Sequence, residues 1–572
     1  MSLDAQFNKI IVSTGYKNVA DFSLKYVLPL MSIVLFLFFI TLFIFDNLPA
    51  FIPYMILMMG VLFICVYPYI QYENKKSSIN ENLHLFITYA GTIATIDINR
   101  HLLFKKIASR KTLGEVAAVC EKIEYFARKW NLGFAKTCRE IGRLTPSKIF
   151  ADFLDRLAVM LDFGESLTTF LNDEQISVMD DYATNYKKSL ERIKTLQEIF
   201  ISLTMALGFM MSIGLILPLI SSTPMETIVR YSLLALFILD MFVLIFVHSM
   251  IPSDKLCQTS DIVDDDKKNI YKWVFITFPI SFVMLIILML LDFLPFLVNI
   301  GIAILPLFGL GIYAQKVEES IFTKDKAFPA FIRSLGSAVE IKSGAIISAL
   351  KSLQVHDFGP INQLAIHLHR RLKTGNNKYQ CWRYFCADSG SNLIYQFTQI
   401  FSEAVFMGGA PEKIGEIVSV NFQKLLALRK LKIQLASELR GTLYGALVGF
   451  SAAAYISAEI AKMLGGLFST PFQSIQGSGM GMSNIIGDMA PTALNVNMEM
   501  IALYVGIMII VHSVVSGIIL KLIDGGIIYA ALFDIVLMIL LGAVISWVLP
   551  WGVHALLPGM GDLVSTSAAA VT

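Results

Sequence analysis

The sequence predicts an all-α membrane protein of about nine spans, carrying two helical-bundle domains related by internal duplication. Three observations predict it: a membrane-like hydropathy, a one-sided distribution of Lys and Arg, and a faint self-similarity at an offset of about 245 residues.

Hydropathy sets the class. The 572 residues are 55% hydrophobic, with a mean hydropathy of +0.65, well above soluble domains. A net charge of +2 excludes the basic footprint of a nucleic-acid binder. Residues 1–26 are largely polar, with Lys9, Lys17 and Lys25, and no small-residue cleavage site follows the first apolar run. That run is therefore read as a span rather than a leader. Apolar stretches near the ~20 residues that cross a bilayer place spans at 27–45 and 51–70 (27–70), 199–220 and 231–251 (199–251), 273–294 and 297–315 (273–315), and 442–465, 498–520 and 527–550 (442–550). Two long polar segments, 71–198 and 316–441, form the domains.

Charge sets the expected orientation. With 1–26 inside, the segments 1–26, 71–198, 252–272 and 316–441 together with Lys521 hold 44 of the 46 Lys and Arg. Basic residues mark the cytoplasmic side. The N-terminus and both domains are thus expected in the cytoplasm, with the loop 466–497 and the tail 551–572, which have no Lys or Arg, outside. Of the six cysteines, Cys120, Cys138, Cys257, Cys381 and Cys386 fall on the cytoplasmic side and Cys65 in a span. Disulfides are not expected there, and no second pair completes a zinc site with Cys381 and Cys386.

The repeat sets the organisation. Phe86-Ile87 with Gly91 and Ile96 matches Phe331-Ile332 with Gly336 and Ile341, an offset of 245. Phe153 and Gly164 match Phe397 and Gly408, an offset of 244. Spans 27–45, 51–70 and 199–220 pair in the same register with 273–294, 297–315 and 442–465, a parallel repeat. Leu154, Leu157, Val159, Met160 and Leu161 recur at helical spacing before Gly164, as do Ile400, Phe401, Ala404 and Val405 before Gly408-Gly409. Each domain reads as about six helices.

Signs of catalysis are few. There is no G-x-x-x-x-G-K-[ST] phosphate loop and no H-E-x-x-H. Gly477 to Gly481 reads as a flexible loop. Gly559-Met-Gly-Asp562 spells the G-x-G-D of intramembrane aspartyl proteases. Such chemistry needs a second nearby carboxylate within the membrane, and Asp562 lies in the outside tail. A transporter would need broken helices around a midplane site, which the first span pair does not suggest. No catalytic residue, metal or cofactor is expected.

Ionisable residues within spans are functional candidates. Asp240 and Asp534 qualify, with the plain alternative that each faces the helix bundle and finds a hydrogen-bond partner; Glu459 and Lys462 neutralise each other at i,i+3. Gly441, Gly445 and Gly449 form a small-residue stripe suited to close helix packing. Segment 316–441 carries 17 basic against 10 acidic residues. Topology and anionic headgroups account for juxtamembrane basic pairs such as Arg429-Lys430 with Lys432. Arg370, Arg371 and Lys373 lie mid-domain and are better placed to dock an acidic partner.

Two cytoplasmic helical domains, each with these Phe and Gly landmarks and each returning into a span, resemble the type II secretion system F family, the platforms of type IV pilus-like machines. Nine spans and longer halves depart from the bacterial pattern and look like the archaeal branch, most similar to platforms of the archaellum, the archaeal flagellum; platforms of archaeal adhesive pili and secretion systems share this architecture. The resemblance implies a non-enzymatic scaffold in the cell membrane, acting as a homodimer. It implies a hexameric cytoplasmic ATPase docked beneath the two domains, and prepilin-like subunits passed from the bilayer into a filament, with a contribution to rotation.

Overall fold

Runs of apolar residues at helical spacing, with no alternating strands between hairpin turns, dictate helices. The computed structural model of the chain is helical through nearly all the described residues, which are 11, 19–32, 34–35, 51–96, 98–216, 225–252, 254–258, 262, 265–291, 294–476 and 498–556. Among them the one strand-like pairing is a bridge between Cys257 and Ser391. A first group of helices comprises α1 (Phe51–Ala94), α2 (Arg100–Ser109), α3 (Glu115–Lys129), α4 (Phe134–Leu144), α5 (Lys148–Phe163) and α6 (Leu167–Ile216). Then come α7 (Met225–Met250), α8 (Asp265–Leu291) and α9 (Phe296–Ala303). A second group follows as α10 (Leu305–Ile341), α11 (Ile346–Leu353), α12 (Ile361–Lys373), α13 (Lys378–Ser389), α14 (Asn392–Phe406) and α15 (Pro411–Gln476), before α16 (Met498–Asp524) and α17 (Ala531–Leu556).

Six of these helices, α6, α7, α8, α15, α16 and α17, have a stretch long and apolar enough to cross a membrane. The expected span 297–315 is broken: α9 and α10 meet at a 43° bend. Pro306 sits in the first turn of α10, where it lacks an N–H to continue the preceding helix. Counting the bent pair gives seven, against the nine expected. Most of 27–45 lies outside the described residues, and 51–70 forms the start of the 44-residue α1. The expected loop 466–497 begins later than its composition suggests, because α15 continues to Gln476; residues 477–497, with the Gly477–Gly481 segment, lie outside the described residues. So do 557–572, which hold Asp562.

α6 and α15 are the long members, of 50 and 66 residues. At 1.5 Å per residue α15 is about 100 Å long, running unbroken from polar into apolar sequence. The bundles attached to them are built alike. Ser147 caps α5 and Ser391 caps α14, each hydroxyl accepting a backbone N–H, of Phe150 and Ile394 respectively. Gly164 ends α5 in the left-handed conformation that glycine adopts without strain. Aromatic rings fill both cores. Phe86 meets Phe150 and Phe153 edge-on at 5.2 and 5.3 Å. Phe331 lies 5.6 Å from Phe358 and 5.9 Å from Phe385. Such pairs add about 0.5–1.5 kcal/mol beyond their buried area.

The two bundles share a seam along α6 and α15. Lys424 donates to Asp180 at 2.8 Å, Lys194 lies 3.9 Å from Glu438, and Gln197 donates to Thr442 at 3.0 Å. Tyr89 donates to Glu403 at 2.8 Å while the Arg110 guanidinium lies over the Tyr89 ring.

Candidate functional site

The segment between α7 and α8 is short and polar, so its backbone must find partners. It finds them at the junction of α13 and α14: Gln258 N–H donates to Gly390 O and Asn392 N–H to Leu256 O, both at 2.9 Å. This pins Asp254 beside α15. There the Arg429 guanidinium, 5% exposed, donates to both Asp254 oxygens at 2.6 and 2.8 Å and to Asp325 of α10 at 2.7 Å. Ser391 donates to the other Asp325 oxygen. One cation is thus held by two carboxylates from two different segments. Burial opposes the charge on Asp254, yet the Arg429 guanidinium outweighs it and holds the carboxyl well below the usual range.

The cluster continues toward the apolar helices. Lys432, one turn along α15, is 2% exposed. Lys521 of α16 donates to Glu318 of α10 at 2.8 Å and to Asp524 at 3.3 Å. Glu318 also accepts the Ile527 N–H. Gly525 and Gly526 make this turn with φ of +84° and +92°, and a Cβ on Gly526 would collide with the Glu318 carboxylate. The cluster therefore ties α10, α15, the 254–258 segment and the α16–α17 turn at one level of the molecule. Breaking such a buried pair leaves an uncompensated charge, at a cost of about 3–5 kcal/mol.

Sequence reasoning explained Arg429 and Lys432 by lipid headgroups. The structure corrects that: both point inward, because acidic groups distant in sequence converge on them. The signal available beforehand was weak, a Lys/Arg set on the same helix face as Leu425, Leu428 and Leu435, all of them buried.

Between the bundles, beside Asp254, lies a polar cavity of about 340 Å³ lined by His84, Tyr182, Tyr186, Asn392 and Gln396. Burial pushes His84 down to about 4, and its ring packs 4.8 Å from Tyr182.

Asp240 and Asp534 both have partners. Asp240, fully buried, lies 3.1 and 3.3 Å from Nδ1 of His512 on α16. Asp534 receives Arg440 at 2.9 Å and the Tyr444 hydroxyl. His512 was missed in the sequence, although a histidine inside an apolar run is itself a signal. Lys462 and Glu459 lie 3.9 Å apart. Of the basic trio, Arg370 and Lys373 are exposed in the last turn of α12. Arg371 is instead engaged, donating to Asp388 at 2.7 Å and lying over Tyr384. Of the glycine stripe, a Cβ on Gly441 or Gly445 would meet nothing within the described residues, while one on Gly449 would meet Met205 of α6 at 3.2 Å. Close helix approach occurs elsewhere, at Gly208 against Phe450 and Gly336 against Pro411 and Gly415.

Long apolar helices and two helical bundles, the second tied by a buried ionic cluster to the 254–258 segment and the α16–α17 turn, define a multi-pass helical membrane protein. No family model matches the chain, and no solved structure matches it. It is 33% identical over 92% of its length, and 94% of the relative, to the Flagella accessory protein J of Methanocaldococcus jannaschii. It is 29% identical over 94% of its length, and 96% of the relative, to the Flagella accessory protein J of Methanococcus voltae. An uncharacterised protein of M. jannaschii is 22% identical over 66% of the chain. The chain belongs to the Flagella accessory protein J family.

Proposed function

We propose that this protein is the membrane platform on which an archaellum is assembled. The observation that carries the reading is the near full-length relationship to two flagella accessory proteins. In this reading the protein is a type II secretion F-like scaffold in the cell membrane, with nine spans, the N-terminus and both bundles in the cytoplasm and the C-terminus outside. A hexameric ATPase engages the bundles, prepilin-like subunits are handed over in the bilayer, and no chemistry is performed by the platform itself.

Duplication of the chain is part of the proposal, and element spacing supports it. α5 and α14 start 244 residues apart, as do their serine caps and the starts of α6 and α15. The seam contacts Asp180–Lys424, Lys194–Glu438 and Gln197–Thr442 join residues 244 or 245 apart. Equivalent positions meet in this way when two copies pack about a twofold axis. A homodimer would then place a second copy against the open face of Gly441 and Gly445.

The test is deletion in an archaeon that both swims and adheres. Loss of archaella and of swimming, with adhesive pili retained and swimming restored by the wild-type gene, supports the reading. Normal archaella with lost pili would assign the platform to the adhesive machine. In the same background Gly445→Leu leaves the chain's own fold intact, since the site is open, and removes filaments if this face meets a second copy.

A further inference from the structure

Apart from the ionic cluster and the seam, a buried carboxylate and a buried imidazole meet among the apolar helices. Asp240 and His512 lie on α7 and α16, are 0% and 1% exposed, and meet where these two helices pack. Nε2 on the far side of the imidazole lies 3.5 Å from the hydroxyl of Ser516, one turn along α16 and itself buried. The surroundings are apolar. α6 and α15 present the rings of Phe200 and Phe450, with centroids 5.7 and 6.2 Å from that of His512.

Other charges on the packed elements are engaged elsewhere or exposed. Glu198 of α6 is exposed. On α15, Arg440 pairs with Asp534 of α17, and Glu459 lies beside Lys462. On α16, Lys521 and Asp524 belong to the ionic cluster. Among the described residues, then, the titratable groups of this contact are the carboxylate and the imidazole alone.

The chemistry of the three side chains accommodates two protonation states equally. With a proton on each ring nitrogen, Nδ1–H donates to the Asp240 carboxylate and Nε2–H donates to the Ser516 hydroxyl. With Nε2 bare, the serine hydroxyl rotates and donates to it instead, while Nδ1–H stays on the carboxylate. Each ring nitrogen keeps a partner in both states. The states differ in net charge: the first is neutral, and the second leaves one negative charge in hydrocarbon. Imidazole is the side chain that ordinarily changes charge near neutrality, and ionisable groups within spans mark functional positions.

We propose that Asp240, His512 and Ser516 form a proton-binding site whose occupancy holds α7 against α16, so that relative motion of the two helices is linked to uptake and release of one proton. The closed site shields the proton, which exchanges with bulk water when the helices part. Release leaves a charge that low dielectric disfavours, so the deprotonated form favours a parted, hydrated contact.

The test uses the full chain in lipid nanodiscs, with nitrogen-labelled histidine followed by NMR between about pH 5 and pH 9. His512→Gln assigns the signal; should that variant fail to fold, a chain retaining His512 as its sole histidine assigns it. The expected result is a reversible titration of Nε2, with a midpoint moved at least about tenfold in proton concentration by Asp240→Asn. Intrinsic-rate-corrected hydrogen exchange of the α16 amides should rise as the proton leaves, and this dependence should vanish in Asp240→Asn. A His512 that keeps one form across the range overturns the site. A titration that Asp240→Asn leaves unchanged removes the pairing, and a titration without change in α16 exchange removes the link to motion.

Discussion

The corresponding corners of the two bundles are built from the same parts and carry different charges. In the first, the capping hydroxyl of Ser147 meets Asn80 of α1 at 2.6 Å, and Asn80 shares a small cleft with Asn185 of α6. In the second, the capping hydroxyl of Ser391 meets Asp325 of α10, and Arg429 of α15 closes the set. Asn80, Ser147 and Asn185 precede Asp325, Ser391 and Arg429 by 245, 244 and 244 residues. The neutral corner supports its own bundle only. The charged corner reaches out, because a guanidinium has donors to spare for Asp254, and so joins the bundle to the segment that leads into α8. At the second corner charged side chains stand where the first has polar ones, Asp325 against Asn80 and Arg429 against Asn185, and there the N-cap serine is part of an anchoring point.

Arg429→Met breaks the comparison most severely. It strands Asp254 and Asp325 and should cost about 3–5 kcal/mol, whereas Asn80→Ala removes the acceptor of the Ser147 hydroxyl and should cost about 1 kcal/mol. Thermal unfolding in detergent reads both, and equal losses would show that the charged corner is no more of an anchor than the neutral one.

Acidification should weaken the first half through His84. Its folded value of about 4 lies below the ordinary 6.5, so between these pH values the unfolded chain binds a proton that the folded chain refuses. Stability is then lost as pH falls through that window, by at most about 3 kcal/mol. His84→Gln should flatten the slope. The carboxyl of Asp254, held low, stays charged across the same window, and its contribution is lost only below the usual carboxylate range. Burial instead raises Asp325 to about 6, so its proton uptake acts in the opposite, stabilising direction as pH falls.

Equivalent glycines sharpen the contrast further. A Cβ on Gly336 would sit 2.5 Å from the Pro411 carbonyl oxygen and 3.1 Å from Gly415 Cα, both backbone atoms that cannot step aside. Gly336→Ala should cost about 1–3 kcal/mol. At Gly91 the obstacle is the end of the Gln175 side chain, which can swing away, so Gly91→Ala should be markedly milder by the same unfolding assay.

The smallest effect belongs to the surface. Arg370→Glu with Lys373→Glu changes exposed charges found only in part at the corresponding positions of the first half, Phe126 and Lys129. Fold should be unaffected, and affinity for the proposed ATPase should fall modestly with a flatter salt dependence. Arg371→Glu should add a loss of stability of under about 1 kcal/mol, because its partner Asp388 is half-exposed.

The sequence by itself determined helicity, because apolar residues at 3.6-residue spacing have one way to bury a common face. It also marked the apolar stretches that α6, α7, α8, α15, α16 and α17 contain, since length and hydropathy are local properties. The breaks and overruns, at Pro306 and beyond 465, were less legible because helix ends depend on single residues and on what they pack against. Partners were decided only by the tertiary structure. Asp240 and Asp534 were visible as buried charges, but His512 and Arg440 became their partners through the packing of α7 on α16 and α15 on α17. Arg429 looked like one of many basic residues beside a span until Asp254 and Asp325, 175 and 104 positions away, were folded onto it. Gly441 and Gly445 had the spacing of a packing stripe, which within the described residues meets no neighbour, while a close approach the spacing did not announce occurs at Gly336. Charge and periodicity are written along the chain; which groups share a dielectric and a distance is written only in three dimensions.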